Sequence, residues 1–146
     1  MNLYSFPKSE KLCGKIRIKK LYDNGRHFSC YPLRVTWYAE AQSPDLPVEP
    51  RVLIWAPKSL FRHAVARNRM RRLLREAYRL NALPFKQYCR ENRISAQIAF
   101  NYIAKEQLPY ADIEKAMKKA LTRLQNAIAA SQNITPLDSA PETASL

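Results

Sequence analysis

The stretch "AVARNRMRRLLREAYRL", residues 64 to 80, holds six arginines among seventeen residues, and Glu76 is its only acid. On a wheel of 3.6 residues per turn, Ala66, Met70, Leu73, Leu74, Ala77 and Leu80 form one apolar stripe that must face a sheet. Asn68, Arg71, Arg72, Arg75 and Arg79 fall on the opposite side, and Arg67 and Arg69 flank the stripe. The pattern predicts a rigid helix from about His63 to Asn81 with a row of guanidinium groups along its outward face. Like charges at this spacing cost roughly 0.2–0.5 kcal/mol per pair. A merely solvated face mixes signs to gain i,i+4 pairs, and here only Glu76 stands within reach of Arg72 and Arg79. Such a row calls for an anion outside the chain.

The rest of the composition agrees. A chain of 146 residues suits a single domain, and an apolar share of 47% is enough to give it a core. The net charge of +13 points to a polyanionic partner: nucleic acid, an anionic membrane or an acidic protein. Its clustering argues against charge kept only for solubility. A membrane-surface helix needs large exposed apolar residues, whereas this helix's apolar side is wanted by a core. The start, "MNLYSFPKSEKLCGK", lacks the apolar run of a secretory signal, and no segment approaches the roughly 20 apolar residues of a bilayer span. The three cysteines, Cys13, Cys30 and Cys89, are odd in number and far apart. Together with His27 and His63 they give no disulfide framework and no metal-ligand spacing. The expected setting is the reducing cytoplasm, with no metal site on the protein and no obligate protein partner.

Along the chain, residues 1 to 11 read as an irregular basic arm, residues 12 to 130 as the folded domain, and residues 131 to 146 as a disordered tail. "KIRIKKLYDNG" predicts a helix stopped at Asn24-Gly25. In "HFSCYPLRVTWYA", Leu33, Val35 and Trp37 alternate with Arg34, Thr36 and Tyr38, the period of a half-buried strand, and Pro32 suggests an edge or bulge near its start. "EAQSPDLPVEP" reads as a loop. "RVLIWA" reads as a strand buried on both faces. After the arginine helix, "LPFKQYCREN" is a short helix or an extended connection. "SAQIAFNYIA" alternates as a last strand, and "YADIEKAMKKALTRLQNAIAA" carries Ile113, Met117, Ala120, Leu121 and Leu124 at helical spacing. Helices with a small sheet make an α+β sandwich.

Arginine appears seven times between Arg62 and Arg79, and lysine never. Guanidinium groups add bidentate recognition of phosphate and stacking on bases to mere charge. Asn68 adds an amide suited to a base edge or a ribose 2′-hydroxyl. Such a helix could enter a DNA major groove, but nothing nearby resembles a helix-turn-helix, a zipper or a zinc module. RNA fits better with Tyr31, Trp37 and Tyr38 on a sheet and a second basic element at Lys15, Arg17, Lys19 and Lys20. Trp37 is expected in the core. A non-catalytic RNA-binding protein, ribosome-associated or similar, and a DNA-binding module remain as alternatives. No carboxylate cluster, His/Cys pair or Gly-rich phosphate loop suggests hydrolysis by the protein itself.

The segment "AVARNRMRRLLREAYR" resembles the signature of the bacterial ribonuclease P protein component, an Arg-Asn-Arg followed by a basic run and Arg-Glu. The match lies at Arg67, Asn68, Arg69, Arg71, Arg72, Arg75 and Glu76. The opening "FPKSEKL", Gly25 and Lys58 are also similar, and the resemblance spans roughly residues 5 to 126. It implies an α-β sandwich of order αβββαβα, ribosomal-protein-S5-domain-2-like, with a left-handed βαβ crossover against the usual preference. It also implies partnership with a catalytic RNA that removes the 5′ leader of precursor tRNA using Mg2+ held mainly by RNA. On that resemblance Lys58, Arg67, Asn68, Arg69, Arg71, Arg72 and Arg75 face the catalytic RNA. Ile18, Tyr22, Arg34 and Thr36 line a cleft for the leader. Two positions depart from the family: Ile18 stands where an aromatic is common, and Lys58-Ser59 where a basic pair is.

Overall fold

A computed structural model describes residues 11–12, 14–41, 50–58 and 61–134. Most of the basic arm, Cys13, the bulk of the proline-containing loop and residues 135–146 of the expected tail lie outside the described residues. The elements run α1 (Lys15–Asn24), β1 (Arg26–Cys30), β2 (Leu33–Ala41), β3 (Arg51–Trp55), α2 (Ala64–Asn81), α3 (Leu83–Glu91), β4 (Ile94–Tyr102) and α4 (Tyr110–Ile134). The strands form one sheet in the order β1-β2-β4-β3. β2 pairs antiparallel with both β1 and β4, while β3 pairs parallel with β4. A parallel pair cannot be closed by a tight turn, so α2 and α3 form the crossover. The result is the expected α+β sandwich.

One sheet face presents Leu33, Val35 and Trp37 of β2, Val52 of β3, and Ala96, Ile98, Phe100 and Tyr102 of β4, all buried. Met70, Leu74, Ala77 and Tyr78 of α2 meet this face, as do Ile113, Met117, Ala120, Leu121, Leu124 and Ile128 of α4. Trp37 lies in this core, as its alternation requires. The other face is polar apart from one patch, where Leu12 and Leu21 cover Ala99 with Ile18, Tyr38 and Leu53 at the margin. Through this patch α1 rests on the sheet.

Five local expectations change. "HFSCYPLRVTWYA" is a hairpin rather than one strand: Tyr31 and Pro32, joined by a cis peptide bond, turn β1 into β2. β3 is not buried on both faces. As an edge strand it buries Val52 but leaves Trp55 46% exposed, and its outer edge is met at Lys11 and Leu12, with the Leu12 N–H donating to Val52 O at 2.8 Å. α4 runs to Ile134, four residues into the expected tail. On α2, Leu80 leaves the stripe for solvent and Tyr78 takes its place inside, near Phe100. Gly25 does follow the first helix, but its φ of −79° is open to any residue. It is glycine because a Cβ there would stand 2.4 Å from Leu21 O and 2.9 Å from Trp37 O.

Two substitutions test this packing by urea unfolding. Met70→Ala, which empties a fully buried site, is expected to cost about 2–5 kcal/mol. Gly25→Ala, which forces backbone apart, is expected to cost roughly 1–3 kcal/mol. A stability loss at exposed Arg72→Ala equal to that at Met70→Ala would reverse the assignment of the α2 faces.

Candidate RNA interface

α2 begins without a side-chain cap and carries no acid in its first turn. The partial positive charge of a helix N-terminus is thus left unopposed by the chain, and arginines are added beside it. Their placements differ. Arg67 turns back and donates to the carbonyls of Phe61 and Arg62 at 2.9 and 3.1 Å, fixing the entry to the helix. Arg69 is exposed and reaches Gln107 Oε1 at 3.4 Å. Arg72 and Arg75 are exposed and, among the described residues, have no acidic partner. Lys58 is exposed on the turn after β3.

Two arginines leave the outward row. Arg79 forms a two-pronged pair with Glu76 at 2.6 and 2.9 Å. That hydrogen bond holds the Glu76 carboxyl below its ordinary range, and Glu76 reaches Arg79 rather than Arg72. Arg71 is half-buried and bends toward the sheet edge, its guanidinium 5.5 Å from the Trp55 ring centre. From there it donates to Asn68 Oδ1 at 2.7 Å. Arg71 Nε is buried without a hydrogen-bond partner. Asn68 itself stays exposed, with its amide oxygen engaged by Arg71.

The expected leader cleft lies between α1 and the polar sheet face. Tyr22 is 45% exposed, and its hydroxyl exchanges hydrogen-bond contacts with the Asn101 side chain at 3.1 and 3.4 Å. Arg34 is exposed on β2 directly opposite Asn101. Ile18 is half-buried at the margin of the patch that seats α1, so it serves anchoring as much as contact. Thr36 is a correction. It is 4% exposed, beneath Gly25, and forms the floor of the cleft rather than a surface for a ligand. Tyr38 lies under Lys20, 5.5 Å from the ring centre. Lys19 is engaged with Asp23 at 2.6 Å in an exposed pair, an arrangement of little net worth.

Sequence reasoning missed two residues, Trp55 and Asn101. The register sets Arg34, Asn101 and Trp55 side by side on β2, β4 and β3. In a pleated sheet such neighbours share a face. The cleft therefore continues across Asn101 to Trp55 and from there to Arg71 and Asn68, so that cleft and arginine row form one surface. The available signal is a tryptophan ending a short apolar strand, and it is masked because "RVLIWA" alone reads as buried on both faces. Among the described residues, no group of three or more His, Cys, Asp or Glu comes together to hold a metal ion. No helix among them is long and apolar enough to cross a membrane.

Comparison with known proteins identifies the family. The Ribonuclease P family model matches residues 6–125. The ribonuclease P protein component of Porphyromonas gingivalis is 36% identical over 121 residues, covering 83% of this chain and 87% of that protein. The Staphylococcus aureus RNase P protein superposes with a TM-score of 0.59 at 15% identity, over 80% of this chain and 96% of that one. A variant of the S. aureus protein with defective mRNA degradation activity gives 0.61 at 16% identity, over 81% and 90%. At such identity the two structures speak for the fold alone. The family match over most of the chain, with a relative of this identity and coverage, carries the assignment: this chain belongs to the ribonuclease P protein component family.

Proposed function

We propose that the two parts of this surface divide the work of a ribonuclease P protein subunit. The exposed side of α2, at Arg69, Arg72, Arg75 and the Asn68 amide, lies against the catalytic RNA, with Lys58 beside it. Arg67 and Arg71 act one step back: Arg67 secures the start of the helix and Arg71 orients Asn68. The 5′ leader of precursor tRNA lies in the cleft, over Tyr22 and Arg34, and passes Asn101 toward Trp55. The RNA performs the hydrolysis. Magnesium belongs to the holoenzyme and is held mainly by RNA phosphates, so no step is assigned to a protein-bound ion. The site of action is the cytoplasm.

The observation that carries this reading is the continuity from Tyr22 through Asn101 and Trp55 to Arg71 and Asn68. A subunit that binds leader and catalytic RNA together needs one uninterrupted basic and aromatic surface. Unpaired guanidinium groups supply phosphate affinity, and exposed rings accept unstacked bases. Family membership favours this reading over a ribosome-associated or a duplex-DNA role.

Reconstitution with a bacterial ribonuclease P RNA at low magnesium is the direct test. The chain is expected to stimulate 5′-leader removal above RNA alone, and absence of stimulation overturns the reading. Arg72→Ala is expected to weaken binding of the catalytic RNA and to lower the salt slope by about one. Its folding stability should stay within ~0.5 kcal/mol. Trp55→Ala is expected to release Arg71 and reduce affinity for the precursor more than for mature tRNA, measured by filter binding of both. Equal losses for the two RNAs would place Trp55 outside the leader path.

A further inference from the structure

Neither the arginine row nor the cleft accounts for a third feature. Tyr31 and Pro32, the turn between β1 and β2, face the first turns of α4 across an open groove of about 320 Å³. Leu108, Asp112, Lys115 and Lys119 complete its walls. That volume lies at the lower end of the roughly 300–1,000 Å³ of small-molecule sites. Tyr31 is 64% exposed, although the turn that carries it is firmly held. Cys30 Sγ contacts Ala116 O at 3.6 Å, and the Ile103 N–H donates to Pro32 O at 2.8 Å. Arg123 ties β1 to α4 by donating to Ser29 O at 2.7 Å while lying 4.4 Å from the Phe28 ring centre. The ring is thus offered to solvent by a rigid support.

Lys115 and Lys119 stand one helical turn apart and, among the described residues, neither is ion-paired. Two unpaired cations beside an open aromatic ring match the phosphates and base of a nucleotide. Asp112 refines the match. Its carboxylate repels a bare inorganic anion but accepts from a base N–H or a ribose 2′-hydroxyl. The groove is also joined to the arginine helix by one short segment. Burial pushes the Tyr102 phenol above its ordinary range. It donates to Glu106 O at 2.6 Å and accepts from the Leu108 N–H at 3.1 Å. Of the segment so held, Leu108 lines the groove and Gln107 meets Arg69.

We propose that this groove is a further RNA site, taking one nucleotide with its base on Tyr31 and its flanking phosphates on Lys115 and Lys119. It extends the contact made by α2 around the end of the sheet, and it rests on the reading of this chain as a ribonuclease P subunit. The test uses the full chain with a bacterial ribonuclease P RNA and a precursor tRNA, reading affinity across a salt series and leader removal at low magnesium. The double variant Lys115→Glu/Lys119→Glu is expected to weaken RNA binding and to lower the salt slope by about two. Tyr31→Ala is expected to lose about fivefold or more in affinity with the slope unchanged, and Tyr31→Trp to retain it. Thermal unfolding of each variant confirms that these side chains act from the surface. Wild-type affinity and slope in folded variants, while the unmutated chain stimulates cleavage, overturn the groove alone. Failure of the unmutated chain to bind or stimulate overturns the subunit reading and the groove with it.

Discussion

The parallel pairing of β3 with β4, from Arg51↔Gln97 to Trp55↔Asn101, decides where everything else in this molecule lies. Two parallel neighbours must be joined by a crossover, and here that crossover contains α2. The arginine helix is therefore carried along the edge of the sheet rather than across its middle. At that edge β3 ends on an exposed tryptophan, and Arg71 reaches around to its ring. An antiparallel hairpin between the same strands would leave no room for α2 in the connection. The arginine helix and the polar sheet face would then be separate surfaces.

Much of this was legible because period and burial agree over long elements. Met70, Leu74 and Ala77 lie inside as the wheel requires, and β4 alternates as read, with Ile98, Phe100 and Tyr102 on the core side. Trp37 is buried for the same reason. What was not legible depends on partners far along the chain. Pro32 looks like a bulge locally and is a turn only because β1 finds β2. "RVLIWA" looks doubly buried until its place at the edge is known, since an apolar run does not tell which neighbours a strand will have. Thr36 alternates outward with Arg34 and Tyr38, yet α1 ends above it and closes it off. Tyr78 rather than Leu80 enters the core because α2 meets Phe100 beside it.

The arginine signature was readable as charge but not as division of labour. In the sequence the guanidinium groups of α2 are equivalent, whereas in the fold they serve three ends. Arg67 and Arg71 are engaged by backbone and neighbours and Arg79 by Glu76, whereas Arg72 and Arg75 are left to solvent and exposed Arg69 touches only Gln107 and the Met70 sulfur. Position on the wheel alone does not give this sorting: Arg71, opposite the stripe, is drawn in by Trp55 at the sheet edge, and Arg79 by Glu76 one turn away. The Arg71 contact shows the cost of the arrangement, since Nε is buried without a partner and burying an unsatisfied donor is unfavourable by about 1–3 kcal/mol. Stacking on Trp55 offsets part of this, at about 0.5–1 kcal/mol for an exposed cation–π contact.

The two walls of the cleft between α1 and the sheet are held very differently. The sheet side belongs to a core shared by four strands and two long helices. α1 has one buried residue, Leu21, and rests on a small cluster with Leu12 and Ala99. Local stability follows buried apolar contact, so α1 is the wall that yields first. Its exposed Tyr22 is tethered to the sheet through Asn101 by a hydrogen bond that water can replace. The cleft thus has a fixed floor and a wall that yields more easily. α2, by contrast, is rigidly seated by Met70 and Leu74, both fully buried.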